Sequence, residues 1–157
     1  MSTEFRDNTR CKNSTNVVAK TWRATFNQLL EHNKVAANLL AFISRIEWKA
    51  IPYSILPAVQ PEARMASAIS TLCSYSFLGG RDGGKKFDMH RLVYLATRTW
   101  ISQNGRAAET RKAALKHLSE VFPSDDYTNR ETWRQYLPHV AHIDKDERGE
   151  QIIASTV

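Results

Sequence analysis

The sequence predicts a mainly α chain, and three observations carry that prediction. Apolar residues recur at spacings of three and four through most of residues 18–140, the period of one face of a helix. One passage departs from that period: residues 75–78 and 85–89 flank Gly79-Gly80-Arg81-Asp82-Gly83-Gly84, a glycine-rich loop suited to a small β-hairpin. From residue 34 the elements then run helix, short helix, helix, hairpin, helix. That is the order of a winged helix-turn-helix with the hairpin as its wing, flanked here by additional helices.

Each element follows from local chemistry. Residues 1–16 are polar and aperiodic, and a disordered tail is expected there. A leading helix spans 17–33, where Val18, Trp22, Phe26 and Leu29 share one face and Thr15 or Asn16 can cap the start. The second helix, 34–48, is apolar on more than one side (Val35, Ala36, Leu39, Leu40, Phe42, Ile43, Ile46), which places it in the centre of the core. Ile51-Pro52 ends that run, and residues 53–59 have room only for a short helix before Pro61. Pro61 opens a third helix with Met65, Ile69, Leu72 and Cys73 inward. After the hairpin, Leu92, Val93, Ala96 and Trp100 form a stripe that Asn104-Gly105 terminates, closing a winged-helix domain at 34–105.

A helical extension is expected over 106–145. Its first helix, 107–122, places Leu115, Leu118 and Phe122 inward with Arg111, Lys112 and Lys116 outward. Thr128-Asn129-Arg130-Glu131 matches a capping box ahead of Trp133, Tyr136, Leu137 and Val140. Pro138 is expected to kink or split that last stripe, and 146–157 to fray. The predicted core joins Trp22, Phe26, Leu39, Ile43, Ile69, Leu72, Leu92, Val93 and Trp100.

Composition narrows the function class. With 42% hydrophobic and 24% charged residues in 157, a disordered chain, a collagen and a coiled-coil rod are excluded. Two cysteines, Cys11 and Cys73, cannot build a disulfide framework, and Cys73 lies in an apolar stretch that suits a buried thiol. The first residues lack an apolar core, and no window reaches the ~18 apolar residues of a membrane helix. A cytoplasmic address with no membrane contact is therefore expected. The net charge of +6, from 22 Lys and Arg against 16 Asp and Glu, permits a polyanionic partner without requiring one.

Several motifs bear on chemistry. Gly79 to Lys85 satisfies the letters of a phosphate-binding loop, G-x-x-x-x-G-K, yet Lys86 stands where a magnesium-binding Ser or Thr belongs. A hairpin produces the same letters. His139 and His142 are three apart, as on one helix face, but no third and fourth metal ligand has suitable spacing, so they read as surface histidines. No nucleophile–base pair is visible, and neither catalysis nor a resident cofactor is expected. The third helix carries Arg64 against Glu62, too little for the several phosphate and base contacts of DNA binding, which stays an alternative together with a purely structural fragment. Asp88-Met89-His90-Arg91-Leu92-Val93 is the most informative stretch. His90 falls where strand turns into helix, beside unpaired N–H groups and the positive end of the helix dipole. Such a position suits either an anion or a histidine that merely caps the helix.

Trp22-Arg23-Ala24-Thr25-Phe26, Ala36-Ala37-Asn38-Leu39-Leu40, Ile51-Pro52, the stretch from Phe87 to Val93, and Val121-Phe122-Pro123 resemble one family in order and spacing. The chain looks like the segment downstream of the nucleotide-binding core in fungal NB-ARC proteins. These are STAND-class, NOD-like signalling NTPases commonly followed by tetratricopeptide repeats. The resemblance covers about residues 17–143. It implies a winged-helix domain that folds back on the nucleotide site, with His90 in the place of a histidine that meets the β-phosphate of bound ADP. Met89 and His90 match the first two positions of the family's Met-His-Asp motif, and Arg91 departs from the third. The resemblance further implies a non-catalytic switch that couples ADP or ATP, held elsewhere in the complete protein, to downstream repeats. Its partners are then a nucleotide-binding domain and tetratricopeptide repeats rather than nucleic acid. Walker A and B motifs lie outside these residues, so a truncated relative is expected.

Overall fold

The computed structural model describes residues 20–124 and 126–156. The expected tail at 1–16, with Cys11 and the capping candidates Thr15 and Asn16, lies outside them, as does Val18. Six helices and a three-stranded sheet follow in order: α1 (20–32), α2 (Lys34–Ile43), β1 (Ile51–Pro52), α3 (Glu62–Ser74), β2 (Leu78–Arg81), β3 (Lys86–Met89), α4 (Arg91–Gln103), α5 (Ala107–Val121) and α6 (Arg130–Thr156). The fold is mainly α with a small antiparallel sheet. No helix of the described residues is long and apolar enough to cross a membrane.

Helix α1 buries Trp22, Phe26 and Leu29, as their spacing predicts. Trp22 stacks on Phe26 at 4.8 Å between centroids, and Phe26 meets the edge of Trp100 at 4.7 Å. Asn33 both closes α1, donating its N–H to the Leu29 carbonyl, and caps α2 by accepting from the Ala36 N–H at 3.1 Å. Helix α2 occupies the centre, with Leu39, Leu40, Phe42 and Ile43 all buried.

That helix stops at Ile43, not at residue 48 as its apolar run predicts. The Ser44 hydroxyl donates to the Ala41 carbonyl at 2.6 Å, and the next two N–H groups turn back three residues to Phe42 and Ile43. Ile46 stays fully buried on a non-helical backbone, so burial outlasts the helix. Ile51-Pro52 does more than end a helix: it forms β1, paired with Phe87 and Lys86 of β3. The sheet order is β1-β3-β2, with Leu78 opposite Met89 and Arg81 opposite Lys86. Residues 53–59 hold a single 3-10 turn, Tyr53–Ile55, where a short helix is expected.

Helix α3 begins after Pro61 and buries Met65, Ile69 and Leu72, while Cys73 is half-buried. The hairpin is tighter than its sequence suggests: β2 starts at Leu78 and runs through both glycines to Arg81, turning at Asp82–Gly84. Helix α4 buries Val93, Tyr94, Thr97 and Ile101 and leaves Leu92 and Trp100 half-buried, a rotation of the predicted stripe. It ends at Asn104, with Gly105 at φ +67°. On α5, Ala114 and Leu118 face the core, Phe122 is half-buried, and Leu115 points outward. Helix α6 starts at Arg130 after a 3-10 turn and is continuous through Pro138, which therefore does not split it. The proline removes one i→i−4 bond, and the burial of Tyr136, His139 and Ile143 on either side holds the helix together. It is described through Thr156, past residue 146 where a frayed end is expected.

Candidate functional site

The corner between β3 and α4 places the residues singled out by sequence. Along β3, Phe87 and Met89 point into the core while Asp88 alternates outward. Two backbone bonds fix the corner from opposite sides: the Met89 N–H donates to the Trp48 carbonyl at 2.8 Å, and the His90 N–H to the Phe77 carbonyl at 3.2 Å. His90 is the N-cap of α4. Its backbone is extended (φ −61°, ψ 131°), its carbonyl accepts from the Tyr94 N–H, and its Nδ1 accepts from the Leu92 N–H at 3.1 Å. The imidazole thus fills the role usually taken by a Ser or Asp side chain. An accepting Nδ1 puts the proton of the neutral ring on Nε2.

Of the three predicted residues, His90 and Arg91 are exposed side by side at the helix start. Met89 is not with them: its side chain is buried at 2% exposure, and it acts through its backbone. Asp88 would oppose an anion here, but the Arg81 guanidinium pairs with one of its oxygens and the Ala50 N–H donates to the other at 2.8 Å. With that carboxylate compensated, the local field comes from Arg91 and the helix end.

Gly79 to Lys85 lies in the hairpin, and Lys85 leads into β3 instead of a helix. The segment therefore lacks the strand–loop–helix geometry of a phosphate-binding loop. His139 is buried at 1% exposure, which corrects its reading as a surface residue, and His142 is half-buried. Among the described residues no three His, Cys, Asp or Glu side chains gather into a metal-binding group.

Both histidines instead join a polar cluster that sequence periodicity does not reveal. His142 Nε2 bonds the Tyr94 hydroxyl, and its Nδ1 lies 3.5 Å from Glu47 Oε2. Arg98 donates to the Tyr94 hydroxyl at 3.3 Å and to the Ser44 carbonyl at 2.7 Å. His139 Nε2 donates to the Ala50 carbonyl at 3.4 Å, and its buried Nδ1 has no hydrogen-bond partner. Burial lowers the His139 pKa from its ordinary value, against the opposing pull of the Ala50 and Glu47 carbonyls and the Glu47 charge. The only sequence signal was the three-residue spacing on a helix, which gives a shared face but not its partners.

An apolar cavity of about 330 Å³ lies between α1, α2, α4 and α5, walled by Phe26, Ala41, Phe42, Trp100 and Ala114. Three of its charged or ionisable neighbours are engaged: His117 bonds the Ile55 carbonyl at 2.9 Å, and Arg106 pairs with Glu109 at 3.8 Å. It offers space without reactive groups. The outward residues of α3 include Glu62, Ala63, Arg64, Ser67 and Ser70, which form no basic track for a nucleic acid.

No family model matches the chain, and no solved structure matches it. It is similar to a "Nucleotide-binding leucine-rich repeat (NLR)-like protein" of Hyaloscypha variabilis, at 33% identity over 143 residues. The similarity covers 91% of this chain but 14% of that protein, so the chain spans about one seventh of its relative's length. That protein's name speaks of leucine-rich repeats, whereas the resemblance of the motifs implies tetratricopeptide repeats.

Proposed function

We propose that this chain is a non-catalytic regulatory module of an NLR-like, cytoplasmic signalling protein. In this reading residues 34–105 form a winged-helix unit, and α5 and α6 lead toward downstream repeats of tetratricopeptide type. The module couples the nucleotide state of a neighbouring nucleotide-binding domain to those repeats. The observation that carries the reading is the similarity to an NLR-like protein over 91% of the chain. The element order supports the winged helix: a two-residue strand after α2, a helix, a β-hairpin and a closing helix.

His90 is the residue assigned to nucleotide sensing. The chain's own groups suit a diphosphate: a neutral imidazole with its proton on Nε2, an exposed Arg91, and a helix start with the nearby Asp88 compensated. In the complete protein ADP would supply the negative charge, while ATP chemistry would belong to the neighbouring domain. His90 donates one hydrogen bond in this scheme. Met89 anchors the corner through its backbone.

The test joins this chain to the nucleotide-binding domain of its relative and measures ADP dissociation. His90→Ala is expected to speed release by roughly ten- to a hundredfold, the value of a charge-assisted hydrogen bond. His90→Asp keeps an acceptor for the Leu92 N–H but adds negative charge, so it should release ADP as fast while preserving the helix. Arg91→Ala should matter less. ADP release unchanged in both His90 variants would overturn the assignment. Salt-dependent DNA binding by the chain, with several counterions released, would overturn the signalling reading in favour of a DNA-binding winged helix.

A further inference from the structure

The last four of the seven residues between α2 and β1, Glu47 to Ala50, are gripped from two sides. On one side stands the strand that delivers His90: the Trp48 carbonyl accepts from the Met89 N–H at 2.8 Å, and the Ala50 N–H donates to Asp88 at 2.8 Å. On the other side stands α6: His139 donates to the Ala50 carbonyl at 3.4 Å, and His142 lies 3.5 Å from the Glu47 carboxylate. A single peptide residue, Ala50, thus bonds β3 through its N–H and α6 through its carbonyl. Ala50 sits at φ +50°, a left-handed conformation that an alanine adopts only under constraint. The His139 end of the grip is dry, since His139 and Ile143, one turn further along α6, are each 1% exposed, while His142 and Glu47 are half-buried.

We infer that residues 47–50 form a joint through which the seating of α6 and the geometry of the β3–α4 corner are coupled, with His139 and His142 as its positioning residues. A pull on α6 that withdraws the two imidazoles frees the Ala50 carbonyl and the Glu47 carboxylate. The loop then loses the partners that hold Ala50 left-handed, and the Met89 and Asp88 bonds beside His90 loosen with it. By reciprocity, a ligand that stiffens the corner seats α6 more firmly. The functional meaning of the joint rests on the reading of His90 given above. The coupling itself requires no nucleotide, because every contact in it belongs to this chain.

Amide hydrogen exchange on the chain tests it. His139→Leu, of similar bulk but with no donor, is expected to speed exchange at Ala50 and Met89 by roughly three- to tenfold, the loss of about one net hydrogen bond. Asp88→Ala should produce the reciprocal change in α6 around residues 139–143. Exchange in α3, which packs mainly against α2 and β2, should stay constant in both. Tyr136→Phe, which removes the α6 bond to Ser54 but leaves the loop alone, should not affect Ala50 or Met89. Should His139→Leu fail to fold, His142→Ala at its half-buried position repeats the test through Glu47. Changes confined to α6 in the histidine variants, confined to the sheet in Asp88→Ala, or spread equally into α3 would each overturn the joint. An unchanged ADP release in the His90 variants would remove the nucleotide reading and leave these exchange results standing.

Discussion

Acidification should destabilise this protein through His139, and the sign follows from its burial. The side chain is 1% exposed, its Nδ1 has no partner, and desolvation lowers its folded pKa below the ordinary 6.5. Above that ordinary value the ring is neutral in both folded and unfolded chains, and the full contribution of the site is present. As pH falls below it, the unfolded chain takes up a proton that the folded chain resists. Stability therefore declines, and keeps declining until the lowered folded value is reached. One proton sets a ceiling of about 1.4 kcal/mol per pH unit. Glu47 and His142 face the same ring, the first favouring its charge and the second opposing it. Urea unfolding followed by tryptophan fluorescence between pH 7.5 and 5.5 supplies the measurement. Carboxylates elsewhere also titrate near the lower end, so the readout is the difference between the wild type and His139→Leu. The wild type should lose the more stability, by up to about 1 kcal/mol over the pH unit below the ordinary value. Parallel stability–pH curves for the two proteins would refute the assignment of a resisted proton to His139.

Three further expectations concern packing and chemistry. Leu40→Ala or Ile43→Ala, both at fully buried positions of α2, should cost ~2–5 kcal/mol in denaturant unfolding; a loss below ~1 kcal/mol would remove α2 from the centre of the core. Leu115→Ala and Leu137→Ala, at 39% and 47% exposure, should stay within ~0.5 kcal/mol of wild type in the same assay. The chain alone should show no steady-state ATP turnover, because Lys85 enters a strand and Lys86 occupies the position of a magnesium ligand. Turnover in pure protein that Lys85→Ala abolishes would contradict it.

The legible parts of the fold were those written in a repeating local pattern. Trp22, Phe26 and Leu29 on α1, and Met65, Ile69 and Leu72 on α3, are buried as their spacing demands. Gly105 stops α4 because a left-handed residue was needed there. Strand β1 escaped detection because two residues carry no period, and their role is set by β3, which lies 35 residues further along the chain from Ile51 to Lys86. The end of α2 was hidden because Ile46 continues the apolar series on a different backbone. Helix α4 turned its phase because Thr97, polar by composition, buries its hydroxyl in a 2.7 Å bond to the Val93 carbonyl. The corner at His90 was readable, since strand end, cap and helix start are consecutive. The cluster around His139 was not, because the Ala50 carbonyl is 89 residues distant in sequence.

The three-stranded sheet also bears on how the chain behaves in concentrated solution. Both of its outer strands are unsuited to recruiting another strand. Strand β1 is two residues long, carries a proline without an N–H to donate, and has α6 packed against it. Strand β2 reads Leu-Gly-Gly-Arg, with two glycines of poor strand propensity and a charged end beside the turn. A strand from a second molecule finds a proline on one flank and a short, glycine-rich ribbon on the other. The chain can accordingly be handled by itself without its sheet seeding aggregation.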